Sequence, residues 1–149
     1  MAGTRQLIGS GGPLEAKIGY SRAVRVGDLV AVAGTAAFKD GVPFAPGDAA
    51  AQTRHILGVI ERALTEAGAS MRDVVRYRVY VTEIADAPAV GAELSRVFAA
   101  IRPAGTLVGT TALVDSALRV EIEVDAIAGS GAAPGREHEE AVSPDQASS

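Results

Sequence analysis

In the stretch "VEIEVD" three carboxylates, Glu121, Glu123 and Asp125, recur at every second position. In an extended strand that spacing places them on one face, with Val120, Ile122 and Val124 on the other. A carboxylate sheltered from water can take a proton from a water molecule and hand it to a leaving group. Upstream, "VVRYRVYVTEI" alternates in the same way, with Val75, Tyr77, Val79 and Val81 on one side and Arg76, Arg78, Tyr80 and Thr82 on the other. If both polar faces share one side of a sheet, arginines and acids pair across it. Such a face is either a wet surface or the interior of an oligomer. Other chemistry is scarce. The chain has no cysteine, which excludes disulfides, thiolate nucleophiles and cysteine metal sites. Of its two histidines, His55 falls inside a helical pattern, where a surface or packing role is expected, and His138 falls in the C-terminal tail. Neither stands near a ligand set, so no metal and no cofactor is expected.

The elements that must position these groups follow from periodicity. "DLVAVAGT", Asp28 to Thr35, is a short apolar run ending in glycine and fits a strand buried on both faces, with "IGYSRAVRVG" as its hairpin partner. Asp48 can cap a helix whose apolar residues Ile56, Val59, Ile60, Ala63, Leu64 and Ala67 fall three and four apart, and Gly68 ends it. A second helix starts near Asp86, tolerates Pro88 in its first turn, and carries Val90, Leu94, Val97, Phe98 and Ile101. Strands "TLVGTTAL" and "LRVEIEVDAIA" follow. The expected fold is α/β (α+β): a single mixed sheet with two helices covering one face.

At 149 residues and 48% hydrophobic content the chain supports one well-buried core. The segment 1–13 reads as a short strand around Arg5 to Ile8 and a flexible joint, "GSGGP". The domain proper spans 14–128. The segment 129–149, "GSGAAPGREHEEAVSPDQASS", has too little apolar surface to offset its ordering entropy and reads as a disordered tail. A net charge of −4 without a basic stretch argues against a nucleic-acid partner. No segment approaches the roughly 18 apolar residues of a membrane span, and the N-terminus lacks the apolar run of a signal peptide, so no membrane partner and a cytoplasmic location are expected.

The order "IGYSRAVRVGDLVAVAGTAA", "AAAQTRHILGVIERALTEAGASMRDVVRYRVYVTEI", "RPAGTLVG" and "RVEIEVDAIA" resembles the Rid (reactive intermediate deaminase), or YjgF-like, family, over about Ile18 to Ala128. The resemblance implies a chorismate-mutase-like fold assembled as a homotrimer around a central barrel, with small-molecule clefts between subunits. Members known as deaminases hydrolyse reactive enamines and imines to a keto acid and ammonia without a metal or cofactor. In them the substrate carboxylate is held by an arginine directly after proline and alanine; here the residues are Pro103, Ala104 and Gly105, followed by Thr106. Aligned on the same segments, Ala33 stands for a small hydroxyl residue, Gly91 for an asparagine and Leu107 for a cysteine. What the resemblance retains is Tyr20 as the cleft tyrosine, the backbone at Gly34, and Glu121 as the acid that positions water, although alignment at "AIA" would select Glu123. Arg22 and Arg102 are candidates to replace the missing cation. The expectation is a divergent member with weak or no activity on 2-imino acids, acting on another imine, enamine or related carbonyl metabolite; the alternative is a non-catalytic metabolite binder or sensor. The ribonuclease activity attached to some relatives has the least support from charge.

Overall fold

The computed structural model describes residues 3–131. Six strands form one sheet: β1 (Arg5–Ile8), β2 (Ala23–Val26), β3 (Leu29–Ala36), β6 (Val74–Val81), β7 (Ala104–Gly109) and β8 (Val120–Ile127). Their spatial order is β1-β2-β3-β8-β6-β7, with every neighbouring pair antiparallel except β6 and β7. The sheet is therefore mixed. A small separate hairpin, β4 (Phe38–Lys39) with β5 (Val42–Pro43), follows β3 and has no strong signal in the sequence. The first strand joins the main sheet at its edge. The segment after it turns at Glu15, whose carboxylate accepts from the backbone N–H groups of Ser10 and Gly12, and continues as a π-helical turn over Glu15–Gly19.

Helix α1 (Ala49–Glu66) starts where Asp48 Oδ1 accepts from the Ala51 N–H at 3.0 Å, and it stops at Gly68, whose φ of +77° suits a residue without Cβ. Helix α2 (Ala87–Phe98) carries its proline in the first turn. Both helices lie on the same face of the sheet. Ile56, Ile60, Leu64, Val90, Leu94 and Phe98 meet Val30, Val32, Val79, Ile122 and Val124 there, all of them buried. Each such side chain contributes roughly 1.5–3 kcal/mol of burial.

Two expectations need correction. Strand β3 is buried on one face only, because no helix covers the other: Val30, Val32 and Thr35 are inside, while Leu29, Ala31 and Gly34 are exposed. Val75 does not point into the core. A β-bulge between Val74 and Arg76 inserts one residue, so Val74 is buried and Val75 is 41% exposed; from Arg76 onward the expected alternation holds.

Candidate functional site

The uncovered sheet face gathers the charged residues. Val120, Ile122, Val124 and Ala126 point at the helices, so Glu121, Glu123 and Asp125 point away from them, half-buried. Cross-strand register sets Tyr80 opposite Glu121, Arg78 opposite Glu123 and Arg76 opposite Asp125. The pairs that form are diagonal: Arg78 Nη1 lies 3.4 Å from Asp125 Oδ2, and the Tyr80 hydroxyl donates to Glu123 Oε1 at 2.6 Å. That contact, with burial added to it, raises the Tyr80 pKa.

Glu121 has a different environment. A second bulge, in β3, makes Ala33 and Gly34 together oppose a single residue of β8. The absence of a Cβ at Gly34 leaves room for the Glu121 carboxyl, which would otherwise lie 3.2 Å from it. Arg22 Nη2 donates to the Gly34 carbonyl at 2.7 Å, and the Arg22 carbonyl accepts from the Ala33 N–H at 3.0 Å. The Arg22 guanidinium is thereby fixed near Glu121, with its Nε buried and unpartnered among the described residues. Burial raises the Glu121 pKa above the ordinary carboxylate value and the neighbouring Glu123 adds to the shift; Arg22 opposes both. A carboxyl so placed exchanges its proton closer to neutral pH than an exposed one.

Beside this cluster a groove of about 610 Å³ opens between the turn after β1 and strands β2, β3 and β8. Tyr20, Ala33, Glu123, Asp125, Arg5 and Leu7 line it. Tyr20 and Ala33 line the groove itself, and Gly34, Arg22 and Glu121 belong to the cluster at its side. Gly105, Thr106 and Leu107 do not: they lie on β7, at the opposite edge of the sheet, paired with Tyr77, Arg78 and Val79. Gly105 and Thr106 are exposed, and Leu107 packs against the core. Gly91 sits half-buried on α2 with open space where a side chain would start. Arg102, exposed, occupies a left-handed conformation (φ 53°) where the chain leaves α2. His55 is a packing residue: its ring stacks on Phe44, and Nε2 lies 2.9 Å from the Phe38 carbonyl. His138 lies outside the described residues, as does most of the tail, 132–149.

Sequence reasoning missed Tyr77. It lies beside Gly105 in the parallel register and covers it with its ring, a relation set by strand pairing that spacing along the chain does not reveal. Among the described residues no group of three or more His, Asp or Glu is placed to hold a metal, and no helix is long and apolar enough to cross a membrane.

The endoribonuclease L-PSP family model matches residues 12–128. An uncharacterised protein of Streptomyces coelicolor, SCO2049, is 38% identical over 122 residues, covering 82% of this chain and 91% of the relative. The crystal structure of Rv2704, a YjgF/YER057c/UK114 family member from Mycobacterium tuberculosis, superposes with a TM-score of 0.76 at 48% identity, over 83% of this chain and 99% of that one. The 3-aminoacrylate deaminase RutC of Acinetobacter baylyi is 43% identical over a shorter stretch of 58 residues, 39% of this chain and 46% of RutC. With the superposition on Rv2704 the mixed sheet and its two helices are the chorismate-mutase-like α+β fold. The chain belongs to the Rid/YjgF/YER057c/UK114 family, which includes the L-PSP and RutC proteins.

Proposed function

We propose that this chain hydrolyses a small imine, enamine or related carbonyl metabolite, with Glu121 as the group that moves the proton. The observation that carries this reading is the half-buried Glu121 carboxyl, held against Gly34 and pushed toward its neutral form by burial. In the reaction a water oxygen adds to the imine carbon while Glu121 accepts the water proton. The same proton then passes to the nitrogen, giving a carbinolamine. Glu121 next moves the carbinolamine hydroxyl proton to the nitrogen as the C=O bond forms and the C–N bond breaks, and a carbonyl compound and ammonia leave. Tyr20 shapes the cleft, and the backbone at Gly34 borders it.

The cleft is proposed to form between copies of the chain in a homotrimer. Tyr20 adjoins β2, whereas Gly105 lies on β7, and β3 and β7 alone are three strand spacings apart, roughly 14 Å at ~4.8 Å each. One copy does not join them around a small ligand. Exposed apolar residues at both sheet edges, Leu7 and Ile18 on one side and Ile84 and Val108 on the other, supply surface for such contacts.

Gly105 in place of an arginine supports weak activity on 2-imino acids. Charge-assisted hydrogen bonds contribute on the order of 1.5–3 kcal/mol each, so a missing bidentate pair lowers efficiency toward a carboxylate-bearing imine by roughly two to four powers of ten. The alternative, a metabolite binder without turnover, is favoured by this same lack of an anchor. Glu121→Gln separates the two: with a carboxylate-free imine as substrate, we expect the variant to lose at least about tenfold in ammonia release while keeping its affinity. Equal rates in variant and parent would refute the role of Glu121.

A further inference from the structure

The ring of Tyr77 crosses from β6 over the backbone of β7. A Cβ placed on Gly105 would stand 2.6 Å from its Cζ and 2.7 Å from its hydroxyl oxygen, closer than any side-chain carbon can approach. The ring is held from the helix side by Phe98, with centroids 5.2 Å apart and planes inclined by 28°, and Phe98 is itself buried. Gly105 is exposed at the sheet edge, and the half-buried Tyr77, packed against the core, brings its phenol oxygen next to that backbone. We propose that Tyr77 is a specificity-determining residue of the cleft: it occupies the volume that any side chain at position 105 would need and offers a neutral hydroxyl there. The ligand it selects carries a carbonyl, hydroxyl or amide at that end instead of a carboxylate, because a phenol can donate or accept one hydrogen bond but cannot neutralise an anion.

This inference rests on the proposal above that β7 borders the cleft, and the test keeps the two apart. Pyruvamide and pyruvate, which differ only in amide against carboxylate, serve as probes in an NMR titration of the intact protein, Tyr77→Phe, Gly105→Arg and the double variant Tyr77→Ala/Gly105→Arg. The parent is expected to bind pyruvamide about tenfold more tightly than pyruvate, with shifts at β7, and Tyr77→Phe to lose most of that preference while keeping its melting temperature. Gly105→Arg alone is expected to melt several degrees lower without gaining pyruvate affinity. The double variant, with the ring removed, is expected to recover stability relative to the sum of its single changes and to prefer pyruvate. Pyruvate binding by Gly105→Arg as tight as by the double variant would overturn the role of Tyr77 alone. Probe-induced shifts away from β7 in every variant would overturn the β7 cleft and, with it, the specificity role.

Discussion

The Glu121 carboxyl stands between opposed influences: burial and Glu123 favour its neutral form, while Arg22 favours the charged one. Its net shift is upward, so the folded state holds this proton more tightly than the unfolded chain does. The stabilisation linked to it is full below the ordinary glutamate value of 4.5 and is lost as pH rises through the raised value. Glu121→Gln, which never ionises, should therefore gain stability relative to the parent as pH rises from 4 to 8; thermal melts at both pH values read this directly, and a constant difference would contradict it. The sequence narrowed the acid to Glu121 or Glu123, and the structure separates them by neighbours. Glu123 receives the Tyr80 hydroxyl and lines the groove, whereas Glu121 packs on Gly34. Of the arginine–acid pairs expected across the sheet, the one that forms on this face joins Arg78 to Asp125 and leaves Glu121 out. Arg22 was legible only as a cation two residues from Tyr20. Its hold on the Gly34 carbonyl depends on a pairing twelve residues away.

Among the elements, helix α1 was the most readable, because its cap, its apolar stripe and its terminal glycine are all local signals. The stripe also contains a residue that periodicity treats as polar. Gln52 is fully buried; its Nε2 donates to the Ala45 and Ala117 carbonyls, and its Oε1 accepts from the Arg119 N–H at 2.8 Å. It ties the loop before β8 to the helix and so sets where β8 begins. Gln52→Ala leaves three backbone groups without that partner and should cost about 2–4 kcal/mol, read as a lower melting temperature and faster amide exchange at Arg119. An unchanged melt would show that water replaces these bonds freely. The alternation of β6 and β8 was legible, but that of β3, read as buried on both faces, was not, nor were the bulges. An inserted residue in β3 or β6 is defined by what lies opposite, and the order β3-β8-β6-β7 brings together segments far apart in sequence. Tyr77 over Gly105 was hidden for the same reason.

For the molecule as a whole, the helices cover one face of the sheet and leave the other open, with Leu29, Ala31 and Leu7 exposed beside the charged rows. A homotrimer would bury this face and join the two sheet edges, and light scattering after size-exclusion chromatography should give three times the chain mass; a monomer at micromolar concentration would contradict that assembly. The central claim is that this cleft performs imine chemistry without an anchor for a carboxylate. It is tested most directly by generating 2-aminoacrylate in the presence of the protein and following keto-acid release beside hydrolysis of a carboxylate-free imine of similar size. The expected result is measurable acceleration of the neutral imine and little or none of the 2-aminoacrylate product, in keeping with the roughly two to four powers of ten that a missing arginine costs. Efficient turnover of 2-aminoacrylate, undiminished when Arg22 and Arg102 are each changed to alanine, would contradict it.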